Sequence, residues 1–153
     1  MPTLWYSAPS GQRVQDPTIE QMIECMREEY DGNWGPYSPV GVLEWQHMSQ
    51  SQSGQLLFVR HPDRGWYFEC NDFVTYDSAA DDGKWVHHWG CGEPMYYRAA
   101  CFVPQVVAEQ VVTDYVATGG CSRATSWARQ SEIQSRLSLE QRRELRSRKK
   151  KQD

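Results

Sequence analysis

Apolar positions along this chain change their spacing several times, and each change marks an element. Ile19, Met22, Ile23, Met26 and Tyr30 lie on one face of a helix. Asp16 ahead of Pro17 predicts its start, because aspartate caps free amide hydrogens and proline suits the first helical position. Gly32 predicts its stop. Met1–Gln15 is expected to be a partly extended lead-in. After a turn at Gly35–Pro39, strand-like runs follow at Val40–Gln46, Leu56–His61 and Trp66–Cys70, with Phe73–Tyr76 continuing or restarting the third. His47–Gln55 is a polar loop, and the Pro62–Gly65 turn makes the second and third runs a hairpin. Lys84–Trp89 and Met95–Val103 are the next strands, after the acidic loop Asp77–Gly83.

Helical spacing returns at Val107, Ala108, Val111, Val112, Tyr115 and Val116, opened by Pro104 and stopped by Gly119 and Gly120. Arg123–Arg129 reads as a last short strand anchored by Trp127. From Ser131 the chain reads as a charged helix, with Ser138 and Gln141 spaced as a capping box. The order predicts an α+β fold: a mostly antiparallel sheet of about five or six strands, helices packed mainly on one face, and a C-terminal charged helix. The expected division is a lead-in at 1–15, one domain at 16–129 and a basic helical tail at 130–153.

A length of 153 residues suits a single domain. Mean hydropathy is low, at −0.74. Seven Trp, eight Tyr and four Phe supply the buried area that a disordered chain would lack. No run approaches the roughly 18–20 apolar residues of a membrane span, and the N-terminus lacks the basic-then-apolar pattern of a signal peptide. Five cysteines, an odd number with no CxxC pair, fit free thiols in a reducing compartment, so a cytoplasmic location is expected. Charge divides the chain sharply. Met1–Cys121 carries 6 Lys+Arg against 16 Asp+Glu, a net −10, whereas Ser122–Asp153 carries 10 against 4, a net +6.

The most reactive-looking stretch is KWVHHWGCGEPM, Lys84–Met95. A structural zinc site needs four N or S ligands converging on one ion. Neighbouring strand residues face opposite ways, so His87 and His88 cannot easily share a metal. Cys91 between two glycines could expose a thiol, but a cysteine nucleophile needs an adjacent base, and no thiol-enzyme signature accompanies it. Phosphate-loop, dinucleotide, GxSxG and HExxH patterns are also missing. No enzyme, cofactor or metal is therefore expected. Acidic loops beside aromatic anchors suit a basic partner instead: charge speeds the encounter and aromatics carry affinity. The candidate contacts are Asp72, Asp77, Asp81, Asp82, Trp89 and Glu93, on loops expected at one end of the sheet; the bland alternative is a solubilising surface. A second possibility is a nucleic-acid-associated module acting through the basic run Arg142–Lys151, against which the acidic body argues by repulsion.

The run ACFVPQVVAEQVVTDYVATGGCSRATSW, Ala100–Trp127, resembles the closing segment of an immunity-protein family found beside bacterial polymorphic toxins. That family includes inhibitors of deaminase toxins. VGVLEW and QLLFVRHPDRGWYFE are similar to its central strands, and DPTIEQMIECM to its opening helix. In this pattern Pro104, Gly119 and Trp127 are structural positions. Gly119-Gly120-Cys121-Ser122 departs from it, and the basic extension lies outside it. The resemblance implies a non-enzymatic inhibitor that binds a cognate nuclease or nucleic-acid deaminase toxin one-to-one and covers its active site.

Overall fold

Alternating side chains in successive strands line up into rows across one sheet. Tyr6, Leu43, Leu56 and Cys70 stand opposite one another in four neighbouring strands, and Gly41, Phe58 and Phe68 form the adjacent row. The structure, a computed structural model, describes residues 2–28, 40–46, 54–90 and 93–152, with 89, 90, 93 and 149–152 described by backbone alone. Its elements are β1 (Thr3–Ser7), β2 (Arg13–Gln15), α1 (Ile19–Met26), β3 (Val40–Gln46), β4 (Gly54–His61), β5 (Gly65–Cys70) and β6 (Phe73–Thr75). They continue as β7 (Trp85–Gly90), β8 (Glu93–Arg98), β9 (Phe102–Val103), α2 (Gln105–Thr118), β10 (Trp127–Arg129) and α3 (Leu139–Gln152).

The main sheet runs β10-β6-β5-β4-β3-β1-β2, with β9 also paired to β5, and every pairing is antiparallel. β7 and β8 form a separate hairpin. The rows named above face Met22 and Met26 of α1 and Ala108, Val111, Val112 and Tyr115 of α2, and together these make the principal core. On the opposite face Val59, Tyr67 and Val74 meet Tyr97 of β8 and Cys101, with Met95, Phe102 and Ile133 packed around them. The sheet is thus covered on both sides, by helices on one and by the β7–β8 hairpin and a tail segment on the other. Double coverage explains why Trp66–Cys70 is an uninterrupted apolar-rich run, buried at every residue.

The α+β class and the antiparallel sheet follow the sequence reading, but the main sheet has eight strands rather than five or six. Part of the excess comes from the segment expected as a partly extended lead-in, which forms β1 and β2. Leu4 and Tyr6 alternate into the core, and β1 pairs with both β2 and β3. Asp16 does not cap α1 either. Its carboxylate accepts the Leu4 N–H at 3.0 Å and its own N–H donates to the Leu4 carbonyl. Thr18 is the cap, joined to Gln21 in a reciprocal capping box. α1 ends at Met26; Tyr30, Gly32 and the Gly35–Pro39 turn lie outside the described residues, as does most of the His47–Gln55 loop, whose Gly54 and Gln55 belong to β4.

Met95–Val103 is not one strand. It serves β8, turns through a 3₁₀ segment at Ala99–Cys101, and enters the main sheet as β9. Pro104 precedes α2 in extended conformation, Gly119 closes α2 with φ of 73°, and Trp127 donates to the Ser122 carbonyl at 2.7 Å while packing on the core. The tail differs: no helix starts at Ser131. Ile133 enters the second core, Ser135 and Leu137 bond the β8 backbone at Arg98 and Tyr96, and α3 begins only at Leu139, opened by the Ser138–Gln141 capping box.

Candidate recognition surface

The acidic loop between β6 and β7 is held by its own carboxylates. Asp77 accepts the Ala79 N–H at 3.0 Å, and Asp82 accepts the Lys84 N–H at 3.0 Å while lying 3.7 Å from the Lys84 ammonium. Asp81 is more deeply engaged. It accepts the Tyr76 hydroxyl at 2.6 Å, the Gly83 N–H at 3.0 Å and Arg98 Nη1 at 3.1 Å. The Tyr76 hydroxyl, the Gly83 amide and the Arg98 guanidinium hold its carboxyl below the usual carboxylate range. Arg98 also lies over the Trp85 ring at 5.1 Å and donates from Nε to the Gln134 carbonyl at 2.7 Å. Asp81 therefore joins loop, hairpin and tail. Asp77 and Asp82 are exposed.

The six residues read as contacts do not converge at one end of a sheet. Asp72 is exposed in the β5–β6 turn, and β6 separates it from Asp77. Trp89 and Glu93 lie at the far end of the β7–β8 hairpin, where Trp89 is paired with Pro94 and Gly90 with Glu93. The Asp81 end of that hairpin is marked by the Trp85–Arg98 pair, and strand rise puts the two ends roughly 15–20 Å apart. The far end also meets the basic tail: Arg142 Nη1 donates to the Pro94 carbonyl at 3.0 Å and lies 2.9 Å from the Met95 sulfur. The physical cause is the hairpin itself, whose length carries residues close in sequence to opposite ends.

Strand parity parts the two histidines as expected. His87 is exposed and His88 is 3% exposed. The His88 ring lies 5.3 Å from that of His61. His61 Nδ1 accepts the Asp63 N–H at 3.1 Å, so Nε2 carries the proton and donates to the His87 carbonyl at 3.1 Å. This neutral tautomer ties β4 to β7. Burial pushes both imidazoles below their ordinary value, and His88 to about 4. Among the described residues no group of three or more His, Cys, Asp or Glu could hold a metal ion. Cys91 lies outside the described residues.

Two arrangements escaped the sequence reading. Ile19 and Ile23, read on the apolar face of the helix, are only half-buried and line an open groove with Glu20, Glu24, Arg27 and Glu28. Arg27 is bound to Glu109 of α2 at 2.6 Å. The i, i+4, i+8 spacing of the three glutamates was the available signal. On the other side of the sheet, the buried Tyr67 hydroxyl is bonded to Glu69 at 3.0 Å and Ser135 at 2.8 Å, with Arg136 3.8 Å from Glu69. No short spacing announces that network. No protein-family model matches the chain, and no curated protein matches it.

Proposed function

We propose that this chain is an immunity protein, a non-enzymatic inhibitor that neutralises a bacterial toxin domain of the nuclease or nucleic-acid deaminase class in the cytoplasm. The observation that carries this reading is the division of charge: a net −10 over Met1–Cys121 against +6 over the remainder. Enzymes that act on a polyanion carry basic clefts, and an acidic protein can fill such a cleft in place of the substrate. Asp77 and Asp82, exposed on one braced loop, are the contact carboxylates of this reading. Asp81 serves the same surface by fixing the loop's shape. Trp89 and Glu93 stand apart from it, beside the basic tail.

Co-expression with the toxin encoded beside it tests the proposal: cells should survive with the chain present and die without it, and equal killing in both would end it. A second reading draws on α3, a 14-residue helix rich in arginine and lysine and bonded through Arg142 to the β8 backbone. A nucleic-acid module acting through α3 should give a salt-dependent gel shift that is lost when residues 139–153 are removed. No shift at low salt would dismiss it.

A further inference from the structure

Cys70 ends β5, fully buried, and Cys121 follows the Gly119–Gly120 stop of α2, half-buried. Residues 51 positions apart in sequence are brought side by side: Cys121 Sγ donates to the Cys70 carbonyl at 3.5 Å, and each thiol shifts the titration of the other. We propose that Cys70 and Cys121 form a peroxide-oxidisable thiol pair, with Cys121 the attacking sulfur and Cys70 the resolving one, closing a reversible disulfide between the end of α2 and the end of β5.

Three features favour the assignment. Cys121 is the more accessible sulfur, so an oxidant reaches it first. Contact with Cys70 lowers the Cys121 titration, while the same contact and burial push the Cys70 thiol up. The remaining described cysteines are engaged elsewhere: Cys25 lies 3.1 Å from the Tyr6 hydroxyl, and Cys101 is buried in the core on the other face of the sheet.

The chemistry balances with hydrogen peroxide as oxidant. The Cys121 thiolate attacks one peroxide oxygen; an S–O bond forms, the O–O bond breaks, and hydroxide leaves to be protonated as water. Cys70 then loses its proton and attacks the Cys121 sulfenic sulfur. The S–S bond forms, the S–O bond breaks, and a second water leaves with that proton. Two thiols have lost two electrons and one peroxide has gained them. A small dithiol reverses the reaction by exchange.

The test treats the full chain with equimolar hydrogen peroxide, alkylates the remaining thiols under denaturing conditions and maps peptides by mass spectrometry. The expected product is a Cys70–Cys121 cross-link that dithiothreitol removes, formed roughly tenfold faster than any oxidation of Cys25. Cys70→Ser should leave a sulfenic acid on Cys121 that a dimedone probe traps, and Cys121→Ser should abolish both products. The cross-link is read on the unaltered protein, so the test stands even if a variant folds poorly. Cys70 and Cys121 remaining alkylatable, linking to other cysteines, or reacting no faster than Cys25 would overturn the proposal.

Discussion

At Gly65 the fold has room for a hydrogen and nothing larger. A Cβ there would sit 2.2 Å from the Val103 carbonyl oxygen, and φ is already 93°. This close approach is what lets β9 pair with β5 beside the β4–β5 turn. Gly65→Ala should therefore lower stability by about 2 kcal/mol or more in urea denaturation. Gly83→Ala, at φ of 75° in open space, should cost only about 1 kcal/mol. Equal costs would remove the β9 backbone as the cause. His88 gives a pH dependence with a definite sign. Its folded value, about 4, lies below the unfolded 6.5, so its contribution is complete above the unfolded value and is lost as pH falls toward the folded one. Stability measured at pH 5 should be about 2 kcal/mol below that at pH 7.5, and His88→Phe should flatten the difference. That His87 and His88 face opposite ways was legible, because period-two alternation follows from strand geometry alone. The role of Asp81 was not, since an acid in a run of acids looks solvated until Tyr76 and Arg98 are folded onto it.

Among elements, hydrophobic spacing located α2 and β3–β7 almost to the residue, because in each the local pattern and the tertiary demand coincide. It failed where a segment gains its structure only by pairing with something distant. β1 and β2 read as a lead-in since two buried residues, Leu4 and Tyr6, are too few to announce a strand without β3 beside them. The tail fails in the opposite sense. Its charge suggests one helix from Ser131, yet Ile133, Ser135 and Arg136 are held by the sheet's second face through the core, Tyr67 and Glu69. A structural boundary near Ser138 follows. Removing residues 139–153 should change the unfolding free energy by no more than about 1 kcal/mol, because α3 docks mainly through its first turn. Removing residues 131–153 should cost roughly 3 kcal/mol or more, by uncovering Tyr67, Glu69 and the apolar positions under Ile133. Similar losses from the two truncations would place the anchoring in α3.

At the scale of the whole molecule, the charge division was plain in the sequence, whereas the surface it would use was not. Residue types can be counted along a chain, but the distance between Asp82 and Glu93 depends on a hairpin whose two ends only folding reveals. If the acidic loop meets a basic toxin, reversing Asp77 and Asp82 together to Lys should slow association roughly tenfold at low salt and flatten its salt dependence, with stability changed by less than about 0.5 kcal/mol. Asp81→Asn, in contrast, should lower the urea midpoint by weakening the Arg98 and Tyr76 bonds. The central claim meets its most direct test in a titration of the purified toxin domain with the full chain, following the toxin's action on nucleic acid. Activity should fall in proportion to added chain and end at one equivalent; full toxin activity in the presence of a large excess would contradict the inhibitory role.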